Sequence, residues 1–306
     1  MRLATIDSEY MQPGLAACYL RVQDGEAAFV ETNTTHAVPK LLAALEREGL
    51  SPEQVRWVIV THVHLDHAGG AAALMAACPK ATLVAHPRAA RHLIDPTKLV
   101  ASASAVYGAA RFEELYGTIG PIPEARVRIV EDGGSLALGS ASLRFLHTRG
   151  HANHHFVVHD PARDTVYTGD SFGLVYPRLQ RAGRFAFYTT SPTDFDPAAA
   201  RESVDRILGL HTSTACPTHF GEVDALDTIG AQLHGWIDRS EALLEEAVQL
   251  PASEAEAHLH AGVASAMEEA ARRAGLVLDA GDRALLALDI ELNAQGLAFV
   301  AAKRRG

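Results

Sequence analysis

Cysteine is scarce and badly spaced for cross-linking: Cys18, Cys78 and Cys216 are the 3 in a chain of 306 residues, with no C-x-x-C pair among them. An odd, scattered set excludes a disulfide framework and a thiolate zinc site, and the three read as small buried apolar residues. Cations are also outnumbered. Lys+Arg 27 against Asp+Glu 37 leaves a formal charge of −10, whereas a surface for nucleic acid or anionic lipid needs clustered Lys and Arg. The one basic run, Lys303-Arg304-Arg305, closes a helical pattern, where cations complement the helix dipole. No uninterrupted apolar run reaches the roughly 18 to 20 residues of a membrane span, and the opening MRLATIDSEYMQPG lacks the apolar core of a secretory signal. A cytoplasmic protein acting on a small molecule is expected, with no nucleic acid and no membrane as partner; a homodimer stays open.

Apolar residues are plentiful at 48%, so the chain can bury a large core, and its length suits one large domain with an appendage, or two domains. LAACYLRV and AAFVET flank the turn Gln23-Asp24-Gly25-Glu26 as a hairpin. A helix follows at 38–48, then VRWVIV as a buried strand, a helix from Gly69 to Cys78, the strand ATLVAH and a helix opened by Pro87. Between Arg126 and Gly169 short strands alternate with turns: VRIV, SLAL, SLRFLH, HHFVVH and DTVYTG. A helix at 197–210 leads to STACPTH. Strand groups closing with helices suggest two sheets packed face to face with helices outside. After Gly221 only helical periodicity remains, at 225–250, 253–274 and 282–303, with Pro251 and Gly275 as breaks. The expected division is a domain at 1–222 and a helical cap at 223–306.

Histidine is concentrated. VRWVIV runs directly into THVHLDHAGG, which places His62, His64, Asp66 and His67 within six residues. On an extended backbone His62 and His64 point the same way and reach one ion. Asp66 and His67 are adjacent and diverge, which suits a turn and a second ion. A first-row metal needs three or four side chains, more than this segment holds for two ions. Further donors stand at other strand ends: His151 in TRGH, Asp170 in TGD and His219 in PTHFG.

THVHLDH, TRGH, TGD and PTHFG, in this order, closely resemble the metallo-β-lactamase-fold hydrolases, which include glyoxalase II and the lactonases. The resemblance spans roughly residues 15 to 221. It implies an α/β fold, an αββα sandwich of two mixed sheets flanked by helices, here with a C-terminal helical extension. It implies two divalent transition-metal ions, Zn first with Fe or Mn as alternatives. His62, His64 and His151 would hold one, Asp66, His67 and His219 the other, and Asp170 would bridge them. The chemistry implied is hydrolysis of an ester, thioester or lactone by a metal-bridging hydroxide, with Asp66 as proton shuttle. An iron-dependent sulfur dioxygenase acting on a persulfide, or a regulatory binding protein on the same fold, are the alternatives. Asp170 stands where the commonest β-lactamases of the superfamily carry Cys, which argues against antibiotic hydrolysis of that kind. Asn33 stands where relatives usually have Gly. The segment 171–197, with Phe172, Tyr176, Phe185, Phe187, Tyr188, Arg178, Arg181 and Arg184, is a candidate lid that would supply shape, aromatic contact and cationic attraction. Tyr176 and His154 are the candidate substrate contacts.

Overall fold

Asp24 and Gly25 turn the chain at φ 51° and 82°, the paired left-handed conformation of a two-residue hairpin. In the computed structural model, which describes residues 1–190 and 195–305 and leaves aside the side chains of 106 and 107, the chain divides into two compact units. The first holds Met1–His147, His154–Gly169 and Thr218–Glu222; the second holds Thr148–Asn153, Asp170–Pro217 and Val223–Gly306.

The first unit opens with β1 (Arg2–Asp7), β2 (Ala17–Gln23) and β3 (Glu26–Val30), paired antiparallel. Then come α1 (Val38–Arg47), β4 (Val55–Ile59), the single turn α2 (Leu65–Ala68), α3 (Ala71–Ala77) and β5 (Thr82–Ala85). Three helices follow, α4 (Pro87–Ile94), α5 (Thr97–Tyr107) and α6 (Ala109–Tyr116), before β6 (Val127–Ile129). The first sheet runs β1-β2-β3-β4-β5-β6, with β3 to β6 parallel. Parallel strands need crossovers, and α1, α3 and α4 supply them. β7 (Ser135–Leu138), β8 (Ala141–His147), β9 (Phe156–Asp160) and β10 (Thr165–Gly169) form antiparallel ladders of a second sheet.

Both faces of β2 are covered, and its alternation shows by what. Cys18, Leu20 and Val22 join Leu41, Leu45, Val58, Leu74 and Met75 in one apolar cluster beneath the helices. Tyr19 and Arg21 face the opposite way. Tyr19 meets Tyr167 edge-on at 5.5 Å, and Arg21 Nε donates to Asp160 Oδ2 at 2.6 Å with both side chains at 0% exposure. Trp57 Nε1 donates to the Ala137 carbonyl at 2.7 Å, again joining the two sheets. The expected α/β fold of two sheets with flanking helices and a C-terminal helical run is what the chain adopts.

In the second unit, Asp196 caps α7 (Pro197–Leu208) by accepting from the Ala199 amide at 3.1 Å. β11 (Thr214–Pro217) precedes three long helices, α8 (Leu226–Gln249), α9 (Ala252–Arg273) and α10 (Ala280–Arg305). Residues 170–190 pack on these helices. Phe187 lies 5.6 Å from Trp236, and Phe172, Phe185, Phe187 and Tyr188 are all buried. Gly173, at φ 72°, sits so close that an added Cβ would lie 2.4 Å from Leu233 Cδ2. Gln232 clamps the segment by donating to the Arg184 carbonyl at 2.7 Å and accepting from the Ala186 amide at 2.8 Å.

The cations of this segment have partners within the unit. Arg178 and Arg181 grip Asp282 at the start of α10, and Arg184 pairs with Asp224. Part of the candidate lid, residues 191–194, lies outside the described residues. Burial pushes the Asp282 carboxyl up, but Arg181, the Asp279 backbone and Arg178 outweigh it and hold the pKa below the ordinary value. A depressed carboxyl pKa stabilises the fold above its unfolded value of about 3.9 and stops doing so as pH falls through the folded value. Below pH ~4 the clasp is expected to loosen, and Asp282→Asn should remove that acid-side loss in thermal melts followed between neutral pH and pH 3.

Candidate metal centre

The strand β4 delivers the motif. After Ile59 the chain leaves the sheet, and the Phe156 amide donates to the Thr61 carbonyl at 3.0 Å. His62 Nε2 and His64 Nδ1 then lie 2.8 Å apart. Asp66 and His67 sit on α2 rather than in an irregular turn, because residues 32–34 clasp that turn of helix. The Thr32 amide and hydroxyl both donate to the His67 carbonyl at 2.9 Å. Asn33, at φ 51°, donates from Nδ2 to the Asp66 carbonyl at 2.8 Å. Asn tolerates this left-handed conformation better than most residues, and its side chain adds a hydrogen bond that Gly does not have. Gly70 completes the clasp; a Cβ there would lie 2.7 Å from the Thr32 carbonyl oxygen.

Asp66, His67 and His219 form one group whose donor atoms all lie within 4.8 Å of one another. His219 Nδ1 contacts the Leu15 carbonyl at 2.7 Å, which turns Nε2 toward Asp66 Oδ2, 3.4 Å away. His62 and His67 are fully buried, whereas the Asp66 side chain is 27% exposed. In the second unit, His151 Nδ1 contacts the Thr189 carbonyl at 3.2 Å, and its Nε2 lies 3.4 Å from Asp170 Oδ2. Gly150, at φ 116°, admits α7 there; a Cβ would stand 2.3 Å from the Ala200 nitrogen. Imidazole nitrogens and carboxylates are the donor set that Zn, Fe or Mn accepts.

A residue that the motif reading passes over holds the first unit's donors in place. Glu31, 1% exposed and at φ 66°, accepts from the Thr61 hydroxyl, which in turn lies 3.1 Å from His62 Nδ1. The same carboxylate lies 3.4 Å from His67 Nδ1 and accepts from the Thr218 hydroxyl at 3.4 Å, next to His219. A carboxylate behind a ligating imidazole fixes its tautomer and raises its basicity. Glu31→Gln is expected to weaken metal binding about 10- to 100-fold with little change in melting temperature, measured by competition with a chelator. The signal was in view: Glu31 ends a buried strand, the position that singles out Asp170.

His155 is fully buried, its ring 4.8 Å from that of His62. Gly169 presses on it; a Cβ there would stand 2.5 Å from both His155 Nε2 and Thr61 Oγ1, which explains the glycine of TGD. His154 is half-exposed and lies 6.1 Å from His62 and 5.8 Å from His64, ring to ring. Tyr176 is held away from solvent, its hydroxyl donating to Asp289 Oδ1 at 3.1 Å and its ring 6.0 Å from Phe187. Burial first, then Asp170 and Asp196, push the Tyr188 phenol well above its ordinary pKa, so it stays a neutral hydroxyl. His234, His258 and His260 pair with Asp205, Glu246 and Glu291.

The model of the family described as metallo-beta-lactamase superfamily matches residues 11–219, a span that contains every donor named above. The chain belongs to the metallo-beta-lactamase superfamily. Within it, the metallo-beta-lactamase fold-containing protein ST1585 of Sulfurisphaera tokodaii is 27% identical over 175 residues, 56% of this chain and 62% of that protein. The match thus spans about three-fifths of that relative. A crystal structure of ST1585, described as an archaeal superfamily protein from Sulfolobus tokodaii, aligns with a TM-score of 0.67 at 22% identity, covering 96% of this chain and 97% of that one. The superfamily protein TTHA1429 of Thermus thermophilus aligns at 0.64 and 20% identity, covering 99% and 93%. The chemotaxis sensor ODP, solved as a peroxy diiron species, aligns at 0.54 and 15% identity, covering 72% and 86%. Coverage of 96% and 99% of this chain includes α8 to α10, so the C-terminal helices belong to a fold shared with these superfamily proteins.

Proposed function

We propose that the chain is a dinuclear metal-dependent hydrolase of an ester, thioester or lactone, on the glyoxalase II and lactonase side of the superfamily. His62, His64 and His151 would hold one ion, Asp66, His67 and His219 the second, and Asp170 would serve both. The observation that carries the reading is the group of Asp66, His67 and His219 within 4.8 Å, a complete donor set for a second ion that a single-iron oxygenase does not need. Divalent ions bound there, Zn foremost, would supply an acidified water and positive charge against a developing oxyanion.

The chain's own residues would do the rest. Glu31 and the Leu15 carbonyl hold His67 and His219 in orientation. Asp66, with one oxygen toward His219 and 27% of its side chain open, is the carboxylate placed to relay a proton. The half-exposed His154 ring is the candidate contact for substrate. Tyr176, engaged by Asp289 and Phe187, would contribute through the wall it builds. A small molecule, and no polyanion, suits a chain with a formal charge of −10.

The test is elemental analysis of the purified chain together with rates on a panel of esters, thioesters and lactones. Two ions per chain with turnover on one class supports the reading. One iron per chain, with oxygen consumed in the presence of a persulfide and no hydrolysis, would replace it by the dioxygenase.

A further inference from the structure

Asparagine is a poor residue for the middle of a buried helix, because its amide competes with the backbone for hydrogen bonds. Asn293 nevertheless stands inside α10 at 1% exposure, and both polar atoms of its side chain are used. Its Nδ2 donates to the Asp289 carbonyl at 2.8 Å, one turn earlier. Its Oδ1 accepts from the Thr190 amide at 3.1 Å, and its own carbonyl accepts from the Thr190 hydroxyl at 2.9 Å. The two side-chain bonds are ones an apolar residue could not make, and Thr190 leads directly to the candidate metal centre.

The Thr190 amide and the Thr189 carbonyl are the two ends of one planar peptide group and point in opposite directions. Asn293 holds the first end. The second accepts from His151 Nδ1 at 3.2 Å. A carbonyl has no proton to give, so Nδ1 carries one, and Nε2, 3.4 Å from Asp170 Oδ2, is the nitrogen left for an ion. The backbone around His151 is fixed separately: the Ser203 hydroxyl donates to the Arg149 carbonyl at 2.6 Å, and the Asp196 amide donates to the Gly150 carbonyl at 3.0 Å. Those bonds set where the imidazole starts, and the Thr189 carbonyl sets its rotation.

We propose that Asn293 is a positioning residue that acts through this peptide, setting the rotation and tautomer of His151 from the terminal helix. The proposal rests on His151 being a metal ligand, as in the function proposed above. A clasp that only joined α10 to residues 170–190 would not need it. Arg178 and Arg181 on Asp282 already join those stretches, and the bond from the Thr190 hydroxyl goes to the Asn293 backbone carbonyl, which any residue at 293 supplies. The side-chain Oδ1 alone receives the amide whose carbonyl end meets His151. Hydrogen bonds in a row polarise one another, so the bond from Thr190 to Asn293 also strengthens the Thr189 carbonyl as an acceptor.

The test is titration of the metal-free full chain with Co2+, read as Kd against a competing chelator and as the visible absorption spectrum, which reports ligand geometry. Asn293→Leu keeps the volume and removes the acceptor, and Asn293→Ala removes it without adding bulk. Each should weaken the ion held by His151 about tenfold, the low end for a group behind a ligating imidazole, and alter the spectrum. In each, the His151 Nδ1 proton should exchange faster with water, read as loss of its shifted resonance in the Co2+-loaded chain. Asn293→Asp keeps an oxygen toward the Thr190 amide and should restore Kd and spectrum. Arg181→Met breaks the clasp elsewhere; it should lower the melting temperature and leave both readouts unchanged. Wild-type Kd and spectrum in Asn293→Leu and Asn293→Ala would overturn the inference, as would equal changes in Arg181→Met or loss of folding in both Asn293 variants. A wild-type chain that takes up no Co2+ would overturn the metal reading itself, and the inference with it.

Discussion

In the dinuclear hydrolase proposed above, replacing His219 by Ala is expected to release one of two bound ions per chain and to lower turnover roughly a thousandfold, the upper range for loss of one electrostatic stabiliser in an enzyme site. The expectation follows from how His219 is held. Leu15 fixes its Nδ1 at 2.7 Å and leaves Nε2 3.4 Å from Asp66. Asp66 and His67 alone are two donors, below the three or four that a first-row ion requires. Because His219 is almost buried, its loss leaves a cavity, and His219→Gln serves as the space-filling comparison. The readouts are metal per chain and rate on the best ester, thioester or lactone. Two ions and full rate in His219→Ala would remove it from the site, while loss of folding in both variants would mark it as structural. His258→Ala, on the surface against Glu246, should change neither quantity.

The second large effect concerns stability. Arg21 and Asp160 form a pair at 0% exposure between the two sheets of the first unit, and Arg21 Nη1 also donates to the Val22 carbonyl at 2.6 Å. Removing one partner strands the other charge in the interior, so Arg21→Met should cost about 3–5 kcal/mol. The double variant Arg21→Met, Asp160→Leu removes both charges together and should recover most of that loss, because a buried ion pair adds little over apolar packing of similar volume. Denaturant midpoints of the two single variants and the double variant form the cycle that measures it. A double variant no better than the worse single would show that the pair contributes more than the charges stranded by breaking it.

Much of this was legible in residue order. The hairpin at 23–26, the buried strand before the histidines and the three terminal helices follow from turn chemistry and periodicity, and the observed elements keep those positions. The donors were legible because each stands where a strand or its following loop ends. β1 was not, since its burial is partial and irregular along an edge and gives no clean alternation. Nor were α5 and α6, whose stretch of Ala and Ser offers little contrast between an inner and an outer face. The HHFVVH run begins its strand only at Phe156, because His154 and His155 leave the ladder to face His62. Arg21 and Asp160 lie 139 positions apart, so only folding reveals their pairing. Arg178 and Arg181 looked like free charge because their partner on α10 is about a hundred residues away.

That last pairing has a consequence for how such chains recombine. Arg178 and Arg181 in the stretch after Asp170, and Asp282 at the head of α10, are one clasp contributed by two distant pieces of sequence, reinforced by Thr190 on Asn293. A chimera that takes only the terminal helices from a relative would bring a foreign surface to these arginines and leave their charges without Asp282. Exchanging 171–190 together with 223–305 keeps lock and key from the same parent. The two stretches should therefore be inherited, and engineered, as a single cassette.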